Sequence, residues 1–185
     1  MLFALFAPEE YPHQGYFIAF YEKNKLVFKL IVGQYNWIDD EIEIKASSEK
    51  AEKNIVYKAE NLLDYSILLP WAKGVNGNGI GETIELSGTY WNVLLVISNG
   101  YVDYDRPYLY EYNNRVKRLK IYCTGKKDDY KIIDIDDKPD FQIFRQDEFF
   151  PENYGGNLIF EILEIYPGTR YNDTCINYLQ IHNEM

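Results

Sequence analysis

Trp71-Ala-Lys-Gly-Val-Asn-Gly-Asn-Gly-Ile-Gly-Glu82, running into Thr83-Ile-Glu-Leu86, is the stretch on which the fold turns. Its glycines at 77, 79 and 81 suggest a phosphate cradle. Such a cradle needs backbone N–H groups converging at a helix N-terminus, with Gly-Lys-Ser/Thr or a dinucleotide fingerprint between strand and helix. Thr83 to Leu86 instead alternates with period two, the mark of a half-buried strand. The stretch reads as glycine turns feeding a strand, and nucleotide binding is set aside.

Outward from it the same pattern repeats. Further strands are expected at Asn92 to Ser98, Val116 to Cys123, Tyr130 to Ile135, Phe141 to Arg145, Asn157 to Tyr166 and Cys175 to His182, separated by Gly, Pro, Asn and Asp. Ile42 and Ile44 alternate with Glu41, Glu43 and Lys45 and should open the core, while Tyr16 to Tyr21 and Leu26 to Val32 flank a polar four-residue connection suited to a hairpin that adds to the sandwich. Helix should be minor, confined to a turn within Glu49 to Leu63 and another within Tyr108 to Asn114. Many short strands without alternating helices argue for a sandwich or barrel. In Tyr166-Pro-Gly-Thr-Arg-Tyr171, Pro167 and Gly168 suit the second and third positions of a turn, with positive φ at the glycine.

Composition narrows the function. At 185 residues the chain reads as a single domain, 1–185, and 46% hydrophobic residues suffice for one core. A net charge of -10 opposes attraction to nucleic acid or anionic lipid. The start Met1-Leu-Phe-Ala-Leu-Phe-Ala-Pro8 lacks the basic flank and length of a signal peptide or membrane span. Eighteen tyrosines suit β structure and also stacking against sugar rings.

Tyr57-x-Ala-Glu-Asn-Leu-Leu-Asp64, Trp71 to Glu82, Ser98-Asn-Gly-Tyr101, Asn113-Asn-Arg-Val-Lys-Arg-Leu-Lys120 and Tyr166-Pro-Gly-Thr-Arg-Tyr-Asn-Asp-Thr-Cys-Ile176 occur in that order. Together they resemble the discoidin-like (F5/8 type C-like) glycan-binding domain found beside bacterial NAD glycohydrolases. The resemblance covers about residue 44 to the C-terminus, leaving 1–43 as an N-terminal β extension. It implies a discoidin-like jelly-roll β-sandwich that binds rather than catalyses, and with the hairpin read from residues 16–32 the expected fold is all-β, that sandwich with an extra N-terminal hairpin. It also implies an extracellular or cell-envelope setting.

Catalytic sets are weak. Cys123, Cys175, His13 and His182 are the only members available to a thiol–imidazole pair. Cys175 and His182, seven apart on one strand, should project to opposite faces about 23 Å distant at roughly 3.3 Å per residue. Glu82, Asp103 and Asp105 could serve a glycoside hydrolase, but nothing marks one as a desolvated acid. Calcium is suggested by Asp134, Asp136, Asp137 and Asp140. In the discoidin-like lectins an ion-binding loop follows Leu-Leu-Asp. The resemblance places Tyr65, Ser66, Leu69 and Tyr178 where that cage would draw ligands, leaving only Asp64, so no metal and no cofactor are expected.

Ser98 to Tyr112 is the best binding segment, since it interleaves tyrosines with Asp103, Asp105 and Arg106. Tyr104, Tyr108, Asp103, Asp105 and Arg106 are expected to meet ligand, with Tyr101 and Tyr112 anchoring the loop. Trp71, Asn113, Arg115 and Asp64 are assigned to structure, Arg115 as a buried pin rather than a functional cation. The leading expectation is a non-catalytic carbohydrate-binding module whose aromatic loops lie at one end of a β-sandwich. A protein-interaction or structural module is the alternative, and a glycoside hydrolase the third reading.

Overall fold

A computed structural model describes residues 42–64, 69–88, 90, 93–103 and 105–182 with their side chains, and the backbone of 4–6, 16–22, 25–31 and 183. Near the N-terminus β1 (Ala4–Phe6), β2 (Tyr16–Glu22) and β3 (Lys25–Ile31) form an antiparallel sheet in that order. The β2–β3 hairpin is paired through to Glu22 opposite Lys25, so two residues make its turn rather than four. Among the described residues these strands pair only with one another, as a sheet of their own and not as an extension of the sandwich.

The chain continues through β4 (Ile44–Ala46), β5 (Lys50–Glu52), β6 (Ile55–Tyr57), a 3-10 turn at Ala59–Leu63, β7 (Trp71–Ala72), β8 (Thr83–Leu86) and β9 (Val93–Asn99). After α1 (Tyr108–Tyr112) come β10 (Asn114–Cys123), β11 (Tyr130–Asp134), β12 (Phe141–Arg145), α2 (Gln146–Phe149), β13 (Leu158–Tyr166) and β14 (Thr174–Asn183). One array runs β4-β8-β13-β10-β11 and the other β12-β9-β14-β7. They join only where Asn114–Arg115 and Thr174–Cys175 pair in parallel. Alternate residues of both arrays share one core, Ile84, Leu119, Ile121 and Phe160 meeting Leu95, Ile97, Leu179 and Ile181. This is the face-to-face packing of a β-sandwich. Every position of β9 is buried, so this strand of the second array is covered on both faces.

Several local expectations need correction. The helical turn expected within Glu49 to Leu63 is the 3-10 turn at its end, and the rest of that segment, β5 and β6, is an antiparallel hairpin that was not expected. Ile42 lies ahead of β4 and is exposed, so Ile44 alone enters the core. Register shifts interrupt β10 between Val116 and Leu119 and β14 between Ile176 and Tyr178. A bulge reverses which side chains face inward. Ile176, Leu179 and Ile181 therefore all reach the core, and Cys175 falls on the same face as Tyr178 and His182 rather than the opposite one. Gly168 has no positive φ. Glycine is required there for close approach, since a Cβ would lie 2.5 Å from the Tyr112 carbonyl oxygen.

Candidate functional site

The starts of β10 and β14, the end of β9 and the short β7 converge at one end of the sandwich. The Asn99 side chain braces this end by donating to the Val116 carbonyl at 2.7 Å and accepting from its N–H at 3.0 Å. Gly100 then turns the chain at φ 79°, and a Cβ would meet Arg115 Cγ at 2.6 Å.

Arg115 is 8% exposed. It donates from Nε and Nη2 to the two carboxylate oxygens of Asp137 at 3.0 and 2.7 Å, and from Nη1 to the carbonyls of Asn113 and Pro167. The guanidinium also lies 5.2 Å from the Tyr110 ring centroid, and the Tyr110 hydroxyl donates to Asp137. Arg115 beside it holds the Asp137 carboxyl below the usual range. This network fixes α1 against β10. Asn113 caps α1 by donating to the Leu109 carbonyl at 2.8 Å. Trp71 is fully buried with its indole N–H on the Ser48 carbonyl, and Asp64 ends the 3-10 turn.

In the aromatic loop the Asp103 carboxylate accepts the backbone N–H groups of Asp105 and Arg106 at 2.9 and 2.8 Å and the Arg106 Nε and Nη2 at 3.0 and 2.7 Å. Burial would raise its pKa, but these bonds outweigh that and hold it below the carboxylate range. Asp103 thus closes a turn and displays Arg106. Asp105 is exposed. Tyr108 is 48% exposed with its ring 5.1 Å from that of Tyr112. Tyr104 lies outside the described residues.

Arg106, Tyr101 and Leu109 form one wall of a cavity of about 280 Å3. Lys50, Glu52 and Tyr57 of the β5–β6 hairpin form a second wall, and Asn113, Tyr171, Asp173 and Cys175 with Ala72 complete it. The Tyr57 and Tyr101 rings meet edge to face at 6.0 Å. Burial, with Tyr57 alongside, pushes the Tyr101 phenol well above its ordinary pKa, so it stays a neutral donor. Lys50 binds Asp173 across 123 residues of sequence, latching the hairpin to the approach to β14. Burial opposes the charge on Lys50, and Asp173 more than restores it. The structure therefore adds Lys50, Glu52, Tyr57, Tyr171 and Asp173 to the Arg106 segment. The period-two pair Lys50-Ala-Glu52 and Ile55-Val-Tyr57 about a two-residue turn was the signal that could have revealed the hairpin wall.

The catalytic candidates are committed elsewhere. Burial pushes the Cys175 thiol far above its ordinary pKa, which leaves no thiolate for attack. Cys123 is buried in the core, and His13 lies outside the described residues. Glu82 accepts the hydroxyls of Ser47 and Ser48.

Three of the four aspartates suggested for calcium have other partners, Asp134 with Arg118, Asp136 with Lys138 and Asp137 with Arg115, while a buried Asp140 Oδ1 makes no hydrogen bond among the described residues. Tyr178 is buried with its hydroxyl 3.0 Å from His182 Nε2, and Tyr65 and Ser66 lie outside the described residues. Among the described residues no three His, Cys, Asp or Glu side chains are grouped to hold a metal. Excess calcium or chelator should leave the melting temperature unchanged. A site filled at 100 times its Kd would add about 2.7 kcal/mol, so a shift of several degrees on chelation would overturn this expectation.

No described helix is long and apolar enough to cross a membrane. Among solved structures the fold is similar to part of the arabinofuranosyltransferase AftD from Mycobacteria, with TM-score 0.54 and 12% identity over 78% of this chain. A mutant form of the same protein gives 0.51 and 13% over 76%. This chain matches only 10% of the length of either, and the likeness is one of fold. No curated protein matches the chain. The family described as the NAD glycohydrolase translocation F5/8 type C domain matches residues 34–182. With the sandwich and its site-bearing end in place, the chain belongs to that family of discoidin-like domains.

Proposed function

We propose that the domain is a non-catalytic carbohydrate-binding module that takes a sugar in the cavity between the β5–β6 hairpin, the Arg106 loop and the approach to β14. The observation that carries this reading is the meeting of Tyr57, Tyr101 and Tyr171 with Lys50, Glu52, Arg106 and Asp173 in a single hollow. A pyranose offers apolar C–H faces and a rim of hydroxyls. Rings supply the first contact and fixed charged groups the second. Asp105 and Tyr108 flank the Arg106-Pro107 segment that carries the lining residue Arg106 and are exposed, which leaves them free to extend the site. Of the two carboxylates lining the cavity, Asp173 is bound by Lys50, which favours binding over hydrolysis.

Tyr171 is 40% exposed, so its removal should spare the fold. For a saccharide chosen from a glycan array, Tyr171→Ala and Tyr57→Ala should each weaken binding about tenfold or more, equivalent to about 1.4 kcal/mol. Calorimetric titration checks this. Unchanged affinity in both variants would place the site elsewhere, and an array without hits would leave the protein-partner reading in its place.

A further inference from the structure

The charges around the cavity are not equivalent. Lys50 is bound to Asp173, and Arg106 is chelated by Asp103, so both are neutralised within the protein. Arg170 is exposed and makes no ion pair among the described residues. Its guanidinium lies 5.4 Å from the Tyr112 ring centroid and 5.3 Å from that of Tyr171. Tyr171 lines the cavity, Tyr112 meets it edge to face at 6.1 Å, and Tyr108 lies beyond at 5.1 Å from Tyr112. An aromatic path therefore leads out of the cavity under a cation that makes no ion pair among the described residues.

The backbone holds this arrangement in place. The N–H groups of Arg170 and Tyr171 both donate to the Tyr112 carbonyl, at 3.2 and 2.7 Å, and Thr169 donates from its N–H and hydroxyl to the Glu111 carbonyl. The Gly168 N–H donates to Asn114 Oδ1. A guanidinium presented from a stapled turn over two rings loses less freedom on meeting an anion than one on a mobile loop.

We propose that the site recognises an acidic oligosaccharide, with one sugar in the cavity and the carboxylate or sulfate of a neighbouring residue on Arg170. The inference rests on the carbohydrate reading of the cavity and adds the charge of the ligand. A planar guanidinium matches both carboxylate and sulfate oxygens, and the rings below carry the sugar to which the anion is attached. Neutral sugars would use the cavity alone.

The test is a glycan array carrying neutral, carboxylated and sulfated oligosaccharides, followed by titration of the best acidic hit and its carboxyl-reduced or desulfated counterpart. The acidic form should bind about tenfold tighter at low salt, with the advantage shrinking as added salt screens the contact. Arg170→Gln should remove that advantage and leave the affinity for the neutral counterpart unchanged. Hits confined to neutral glycans, or a preference that survives in Arg170→Gln, would overturn the proposal while leaving the cavity as a sugar site. An array without any hit would overturn both. Because Arg170→Gln retains the backbone bonds of the turn, its melting temperature should match the parent's.

Discussion

Replacing Arg115 with alanine should lower the melting temperature by roughly 6–12 °C, from about 3 kcal/mol lost at 2–4 °C per kcal/mol for a chain of this length. Breaking a buried pair costs more than the pair's net worth, because the abandoned partners stay desolvated. Here the abandoned groups are the Asn113 and Pro167 carbonyls and the Asp137 carboxylate, which keeps only the Tyr110 hydroxyl. The Asp137 side chain is 36% exposed and can rehydrate, which puts the cost at the lower end of the range for buried pairs. Arg115→Lys should recover little, since one ammonium cannot reproduce four directed bonds. Thermal denaturation measures the effect. A variant that keeps its melting temperature but loses saccharide binding would move Arg115 from the framework to the recognition surface.

Trp71→Ala should cost about 4 kcal/mol, or roughly 8–16 °C. Trp71 is fully buried among the residues of the main core. Its strand pairs with the start of β14, placing Ala72 beside Cys175 at the cavity floor. The substitution therefore opens a void in the core and loosens one wall of the site. Trp71→Phe isolates the polar part: the ring volume is largely kept, but the Ser48 carbonyl loses the indole N–H at 3.0 Å. That variant should fall by about 1–3 kcal/mol, the cost of an orphaned buried acceptor. Chemical denaturation of both variants checks the order. Equal stability of Trp71→Ala and the parent would mean that this end of the sandwich is not cooperatively folded with the rest.

How much could be read from the sequence follows from which physical signals are local. β8 and β12 begin and end where the alternation of Thr83 to Leu86 and Phe141 to Arg145 puts them. The longer strands β9, β10, β13 and β14 differ at their ends by one or two residues. Period-two burial is written residue by residue, and a two-layer core rewards it. Bulges are not written that way. The register shifts in β10 and β14 arise near where the two arrays join, and the face on which Cys175 projects depends on the pairing with β9, nearly 80 positions away. Likewise Tyr171 and Lys50 share a cavity through long-range closure and the Lys50–Asp173 bond, for which neither segment carries a local mark. The tyrosine-rich loop was legible because its composition alone is unusual. That Asp103 closes a turn was less so, since an aspartate three positions before Arg106 can equally face solvent.

Among the described residues the β5–β6 hairpin pairs with no strand of the sandwich. It is held by its base, where the Ala59 N–H donates to Glu49 Oε1, by the Lys50 latch to Asp173 and by the Tyr57 ring against Tyr101. Insertions at its Lys53-Asn54 tip would leave every ladder of the core in register, and the entropy of a longer connection grows only slowly with length. Variation can therefore accumulate in this wall of the cavity without threatening foldability. The hairpin is a cassette through which selection, or a protein engineer exchanging residues 50–57, could retune what the domain recognises while inheriting the same scaffold.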